Sequence, residues 1–537
     1  MTTFLSLVDT RGYEGQNQES PFRWKSIQHN TYHAPKPSDR RPSIQEAEEQ
    51  LPKDVRDDLV VLYFRNVHPL CPVIDEYEFA SWYSNCTSDE ELFGHCEIVL
   101  FQAMMFMAFA HLRQEQLNKT PYSSIPHGQK TLLNKVKVLY DNDPSGDHVV
   151  LTKVCLLLSY WSPYDSDLYV NSHWVGRAFF HARQARLWDP DCDSGAMFSR
   201  RKLTWWCCRV RDRLVALGLR RLHRLHEKNS TWPMVTSADF GAEAICPKYM
   251  PLNSKKVMMG AFIWLCKLSE LMAEIGEFQL KTGFDREWRG KPEETNAIMQ
   301  RIVQTSKFES RVNAWVVEFG FEDCERTDEE YIGMSKLPLR KLQILSSSLI
   351  AALYRPYLRN SEYDQPLEIS FRGIAVTKVK EASARTARSV HKAFAESPIE
   401  EVPLAIFAWI QFPVAVCQVD YQFNGGDSLL FGATQRSTIL ASMKKLGERF
   451  SGAKVACQTI NAVMQITSER IKQNTLKLAN RCRFEDDSAD DSIPVQESEE
   501  EADILDCVAR IIDLTLAQAT VRNGLIRCCT LDEAVLL

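Results

Sequence analysis

The apolar positions of this chain recur mostly at gaps of three and four, the spacing of one helix face. No stretch sustains the period-two alternation of a half-buried strand. The fold expected from that pattern is all-α: a large multi-helical domain with little or no sheet. The plainest stretch runs from Arg200 to His226. Leu203, Trp206, Cys207, Val210, Leu214 and Leu217 make its apolar stripe, Arg201, Lys202, Arg209, Arg211 and Arg213 lie off it, and Gly218 reads as a stop. Such a helix is either a packing element with paired or solvated cations, or a contact surface for nucleic acid.

The same spacing predicts helices along most of the chain. Order is expected to begin near Asp54, a candidate cap, with Val55, Leu59, Leu62, Tyr63 and Val67 on one face and Pro69 as the end. Asp75 is placed to start the next helix. Cys96–Arg113 reads as a buried helix, and its apolar run is too short to span a bilayer. Helices follow at Lys130–Tyr140, after the cap Asp147, and after Ser172, with Trp174, Ala178, Ala182 and Ala185 on one face of the last. Beyond the basic stretch, helices are expected at Lys256–Thr282, Thr295–Phe319, Leu337–Leu358, Ile374–Ala395, Val402–Tyr421, Ser437–Phe450 and Lys454–Leu478. Four segments result: a polar, disordered leader (1–53), the helical domain (54–480), an acidic linker (481–503), and a C-terminal amphipathic helix with its tail (504–537). That last helix could dock in a partner's groove or fold back onto the core.

Composition narrows the function. With 537 residues and a net charge of −6, the whole molecule exerts no general pull on nucleic acid, so any such affinity must come from a local patch. The 16 cysteines are scattered through apolar stretches, which points to buried thiols rather than a disulfide framework. The metalloprotease H-E-x-x-H, the G-x-S-x-G nucleophile elbow and the glycine-rich phosphate loops are missing. His223 and His226 near Cys207 and Cys208 fit no standard zinc spacing. No catalytic, cofactor-binding or metal-ligating residue is therefore expected, and the chain is not expected to be an enzyme or a membrane protein.

Several segments taken together resemble a known family. DLVVLYFRNVHPLCPVIDEYEF, with its aromatic-x-x-x-His-Pro step and its Pro-Val-Ile-Asp turn, resembles the opening of the fungal-specific transcription factor domain. That domain is the middle homology region of the Zn(II)2Cys6 regulators. VVLTKVCLLLSYW, HWVGRAFFHARQARLWDPD, WPMVTSADF and LIAALYRPYL resemble its later segments. RRKLTWWCCRVRDRLVALGLRRL resembles its most recognisable helix, with Arg201, Trp205, Trp206, Asp212 and Arg213 at matching places. The flavour is that of the cutinase transcription factors. The resemblance implies a nuclear regulator of fungal metabolism, such as secondary-metabolite or catabolic gene control, with no cofactor. Its partners would be proteins of the transcription machinery or a related zinc-cluster factor, and a small-molecule effector. The first cysteine is Cys71, so residues 1–70 hold no thiolate zinc cluster. Direct DNA binding by this chain is accordingly not expected. Either it acts through partners, or it is a truncated gene model of a complete zinc-cluster factor; a cytosolic helical enzyme or accessory protein of a metabolic pathway is the alternative. Within the basic stretch, Arg209, Asp212 and Arg213 share one turn and are expected to pair, and Arg220 and Arg224 are the residues that would make a contact patch.

Overall fold

The computed structural model describes residues 42–518 except 144–145, 162–169, 193–195, 220–222, 225–231, 283–293, 321–334, 361–363, 403–405, 425–431 and 482–492. Among the described residues the fold is all-α, without a strand. The first helices are α1 (Ile44–Glu48), α2 (Lys53–Leu62), α3 (Glu76–Tyr83), α4 (Asp89–His95), α5 (Ile98–Phe109) and α6 (Gln114–Leu117). They are followed by α7 (Ile125–Asp141), α8 (His148–Leu158), α9 (Val170–Gln184), α10 (Ala196–Leu219), α11 (Leu252–Lys281) and α12 (Thr295–Phe319). The later part holds α13 (Leu337–Tyr354), α14 (Pro366–Glu396), α15 (Phe407–Phe423), α16 (Ala433–Arg449), α17 (Ser451–Arg481) and α18 (Ile493–Gln518).

Local chemistry explains most boundaries. Asp75 caps α3, accepting from the Glu78 amide at 3.0 Å, and Asp147 caps α8, accepting from Val149 at 2.8 Å and Val150 at 3.3 Å. Two expected caps fall elsewhere. Asp54 lies in the first turn of α2, whose N-cap position is Pro52, where a carboxylate still favours the helix dipole. Ser172 lies inside α9, which starts two residues before it. Tyr63–Val67 continues α2 as a π-helical turn, closed by His68 N–H on the Tyr63 carbonyl at 2.9 Å. The extra residue in that turn rotates the following side chains, and it directs His68 inward.

One hydrophobic core runs from Ala47 to Ile512. α5 is its most apolar helix, and its single polar residue in the run, Gln102, is satisfied by the carbonyls of Ala47 at 3.3 Å and Glu49 at 3.2 Å. Among the described residues no single helix is long and apolar enough to cross a membrane. The C-terminal segment folds back: α18 buries Ala502, Ile504, Leu505, Val508, Ala509 and Ile512. Lys380 on α14 pairs with Glu501 at 2.5 Å, and Arg355 pairs with Asp513 and donates to the Ala509 carbonyl at 2.8 Å. Eleven cysteines among the described residues are free thiols, and most of these are buried.

α10 sits where the early and late helices meet. It packs on α8, α9, α11, α15 and α18 and on the 3-10 segment Ser237–Ala244. Gly218 does not end it, because the helix continues to Leu219. The residue is small for a different reason: a Cβ there would stand 2.9 Å from both Ala408 Cβ and Trp409 Nε1. The Trp409 indole N–H crosses at this point to donate to the Leu214 carbonyl at 3.2 Å. Gly218→Ala is expected to lower stability by about 1–2 kcal/mol in urea unfolding, the overpacking outweighing the roughly 1 kcal/mol gained in helix propensity.

Candidate functional site

The cations of α10 lie off its apolar stripe, as the pattern predicts, yet they are not on the surface. Lys202, Arg209, Arg211 and Arg213 are each between 4% and 6% exposed. Lys202 reaches Asp239 at 2.8 Å. Arg201 donates to the Ala185 carbonyl at 2.6 Å. Arg209 and Arg213 share Glu270 of α11, each at 2.9 Å, and the Arg209 guanidinium also lies 4.3 Å from the Trp206 ring centre. Arg211 donates to Ser159 Oγ at 2.9 Å and to the Ser159 carbonyl, and it stacks 4.0 Å from the Tyr160 ring centre. Asp212 acts electrostatically on its neighbour Arg213, and it also reaches beyond α10, accepting from the Arg224 backbone N–H at 2.7 Å and from its guanidinium at 3.4 Å. Arg224 is therefore no free patch residue; its other guanidinium nitrogen holds the Ser172 carbonyl at 2.6 Å. Arg220 and His226 lie outside the described residues. His223 is 3.7 Å from Glu277.

The N-terminal end of α10 meets a second, fully buried set of charges. His68, Glu76, Glu243 and Lys255 are each 0% exposed. The Lys255 ammonium lies 2.5 Å from Glu76 and 3.0 Å from Glu243. Glu76 also accepts the backbone N–H groups of Lys248 at 2.6 Å and Tyr249 at 2.8 Å. Glu243 accepts the Glu76 backbone N–H at 3.0 Å and Arg200 at 3.2 Å, and it stands 3.2 Å from His68 Nε2. Arg200 completes the ring by pairing with Asp75 and donating to the Phe240 carbonyl at 3.0 Å. Gly241 makes this convergence geometrically accessible. Its φ of 60° turns the 3-10 segment, so that Asp239 serves Lys202 while Glu243 serves Arg200 and Lys255.

Three donors of this set, from His68, Glu76 and Glu243, lie within 4.8 Å of one another, close enough to hold a metal ion. The Lys255 ammonium already sits against both carboxylates, so the chain supplies the positive charge itself. Burial and the Lys255 charge push the His68 pKa below its usual value, so the ring is neutral at pH 7. Burial alone would raise the Glu243 pKa, but its neighbours His68, Lys255 and Arg200 together hold it well below the carboxylate range. Because His68 is uncharged at neutral pH, Lys255 and Arg200 are the partners that keep Glu243 ionised there.

Two further histidines fix the acid limit of the fold. Burial, opposed by the Glu400 carbonyl and reinforced by Arg449 and Lys341, pushes His111 down to about 4. Burial with the Arg177 and His148 neighbours pushes His181 down to about 4. Both folded values lie below the unfolded value of about 6.5, so the unfolded chain takes up protons first as pH falls. Stability is expected to be full above about pH 6.5 and to decline toward pH 4, His111 alone accounting for up to about 3 kcal/mol. Urea midpoints measured across that window check this; a flat profile would contradict the neutral, buried state of both rings.

The residues that carry the resemblance are thus brought together by the fold. His68 of the His-Pro step, Asp75 of the Pro-Val-Ile-Asp turn and Arg200 near the start of α10 meet in one ring, and Trp205, Trp206, Asp212 and Arg213 are buried further along the same helix. Glu76, Glu243 and Lys255 are what sequence reasoning missed. Each looks like an ordinary surface charge in the sequence, and their convergence is set by the packed fold.

Residues 60–316 match the fungal specific transcription factor domain. Cutinase transcription factor 1 beta of Fusarium vanettenii is 33% identical over 190 residues, covering 35% of this chain and 21% of that protein. Transcription factor cpaR of Aspergillus oryzae is 27% identical over 241 residues, covering 42% and 39%. The acetamidase regulatory protein of Emericella nidulans is 26% identical over 189 residues, covering 34% and 22%. The chain thus matches between a fifth and two fifths of these relatives' lengths. The matched domain and these relatives are named as transcription factors.

Proposed function

We propose that this chain is a nuclear transcription regulator of fungal metabolic genes, of the secondary-metabolite or catabolic kind, acting through its helical domain by contact with other proteins. These would be components of the transcription machinery or a related zinc-cluster factor, with a small molecule as effector. The observation that carries this reading is the state of α10. Its described cations are turned to internal carboxylates, carbonyls and rings, so they are not available to neutralise phosphates, the term that dominates nucleic-acid affinity. The helix therefore serves the domain's rigidity, and base reading belongs elsewhere in the regulator. The histidine and carboxylates at its end are sealed from solvent and matched by Lys255 and Arg200. That suits a structural tie better than acid–base chemistry, which needs substrate within hydrogen-bond reach of a group poised near the working pH. The test tethers the full chain to a foreign DNA-binding domain in a fungal reporter strain, with a fluorescent tag to follow it. Altered reporter output from a nuclear protein is expected. Unchanged output together with a purely cytosolic signal would favour the metabolic-enzyme reading.

A further inference from the structure

A cleft opens beside Tyr160, the ring that also carries the Arg211 guanidinium. It is lined by Asn66, Leu70, Phe106, Met107, His111, Gln129, Tyr160, Trp161 and Phe450, among others. Its free space is about 420 Å³ with the open mouth included. The inner part takes only a few water-sized groups. Its wall is mainly apolar, with the rings of Phe106, Tyr160, Trp161 and Phe450, and Phe106 and Trp161 meet edge to face at 5.6 Å. Gln129 is the exception that asks for an explanation. It is 3% exposed, and its carbonyl oxygen has no hydrogen-bond partner. A buried amide oxygen left unpaired costs on the order of 1–3 kcal/mol, so such groups normally have a partner.

We propose that this cleft is a binding site for a small, neutral, hydrogen-bonding molecule of the primary-amide class. The chemistry follows from the wall. His111 Nδ1 lies 2.6 Å from the Glu400 carbonyl, so Nδ1 carries the proton and Nε2 is left as an acceptor. Gln129 Oε1 is a second acceptor, and its own amide nitrogen is a donor. A ligand must therefore offer N–H donors and one carbonyl acceptor, the complement of a side-chain amide. A cation is disfavoured by Arg449 and Lys341, which both act on His111 electrostatically. An anion is disfavoured by the two acceptors and the apolar rings. The aromatic residues would take a short alkyl end.

The position gives such a ligand leverage over the fold, and that consequence rests on the regulatory reading above. Asn66 and Leu70 flank His68 of the ionic ring, and Tyr160 carries Arg211 of α10 on its face. His111 and Phe450 belong to the seam with the late helices, where Arg449 donates to the carbonyls of Ala110 at 3.0 Å and Leu112 at 2.6 Å. A molecule held there would tie the early helices to the late ones.

The test uses the purified full chain, propionamide as probe and propionate as its charged isostere. Ligand-observed saturation-transfer NMR and thermal shift are read on wild type, Gln129→Leu and Met107→Trp, the last narrowing the mouth without touching the amide. A Kd on the order of 1 mM is expected for so small a ligand. Propionamide should bind wild type, propionate should bind at least tenfold more weakly, and both variants should lose the signal. Equal binding of the two probes, retention of binding in a folded Gln129→Leu chain, or no binding to wild type at concentrations near 30 times that Kd would overturn the proposal and leave ordered water as the cleft's only occupant. Binding is read without transcription, so a failed reporter assay and a failed binding assay are separate results.

Discussion

Lys255→Met is expected to destabilise the chain by about 3–5 kcal/mol, the cost of leaving buried charge unpaired. The ammonium is the shared partner of Glu76 at 2.5 Å and Glu243 at 3.0 Å, and all three side chains are 0% exposed. Methionine fills much the same volume, so packing is nearly kept and the loss is electrostatic. Arg200 still neutralises one face of Glu243 at 3.2 Å, but Glu76 keeps only the two backbone N–H groups of Lys248 and Tyr249 on its other oxygen. The check is the urea midpoint of the variant against that of Glu76→Gln, Lys255→Met combined. Removing both charges should recover part of the loss, because a buried ion pair replaced as a unit is far less costly than one broken. A double variant as unstable as the sum of the two singles would show that the groups do not interact.

Trp206→Ala is the second large effect, expected at about 3–5 kcal/mol. The indole is 2% exposed in the centre of the core. Its N–H donates to the Pro233 carbonyl at 3.1 Å, and its face carries the Arg209 guanidinium at 4.3 Å. Truncation therefore opens a cavity, breaks the hydrogen bond to the Pro233 carbonyl and removes a desolvated cation–π contact, itself on the order of 1–2 kcal/mol. Trp206→Phe keeps the ring and much of the volume and should lose roughly half as much. Thermal unfolding of the two variants checks the order; a tolerant Trp206→Ala would mean that α10 is not central to packing.

Much of this was legible in the sequence, for identifiable reasons. The period of the apolar positions gave the helices because burial selects one face, and the observed α12 coincides with the expected Thr295–Phe319. Ends were less legible. α14 begins at Pro366 rather than Ile374, since its first turn is held by the box between Gln365 and Glu368 rather than by apolar spacing. Pro413 sits inside α15, where tertiary burial overrides a local breaker. The site was half legible. Asp75, His68 and the basic end of α10 stood out through the family-like segments, whereas Glu243 and Lys255 come from a loop and a helix start with no periodic signal. Which further carboxylate answers which cation is a property of the packed fold: Arg209, Asp212 and Arg213 sit within one turn, and they also reach Glu270 on α11 and Arg224 beyond the end of α10.

If α10 is the element on which both ends of the chain are built, its backbone should open only when the whole fold opens. Native-state hydrogen exchange over Lys202–Ala216 tests that most directly. The expected result is that these amides are the slowest in the chain, that their opening free energy equals the global unfolding free energy from urea, and that Lys255→Met lowers both by the same amount. Exchange of α10 through a smaller, local opening, with α5 or α14 remaining protected, would contradict it.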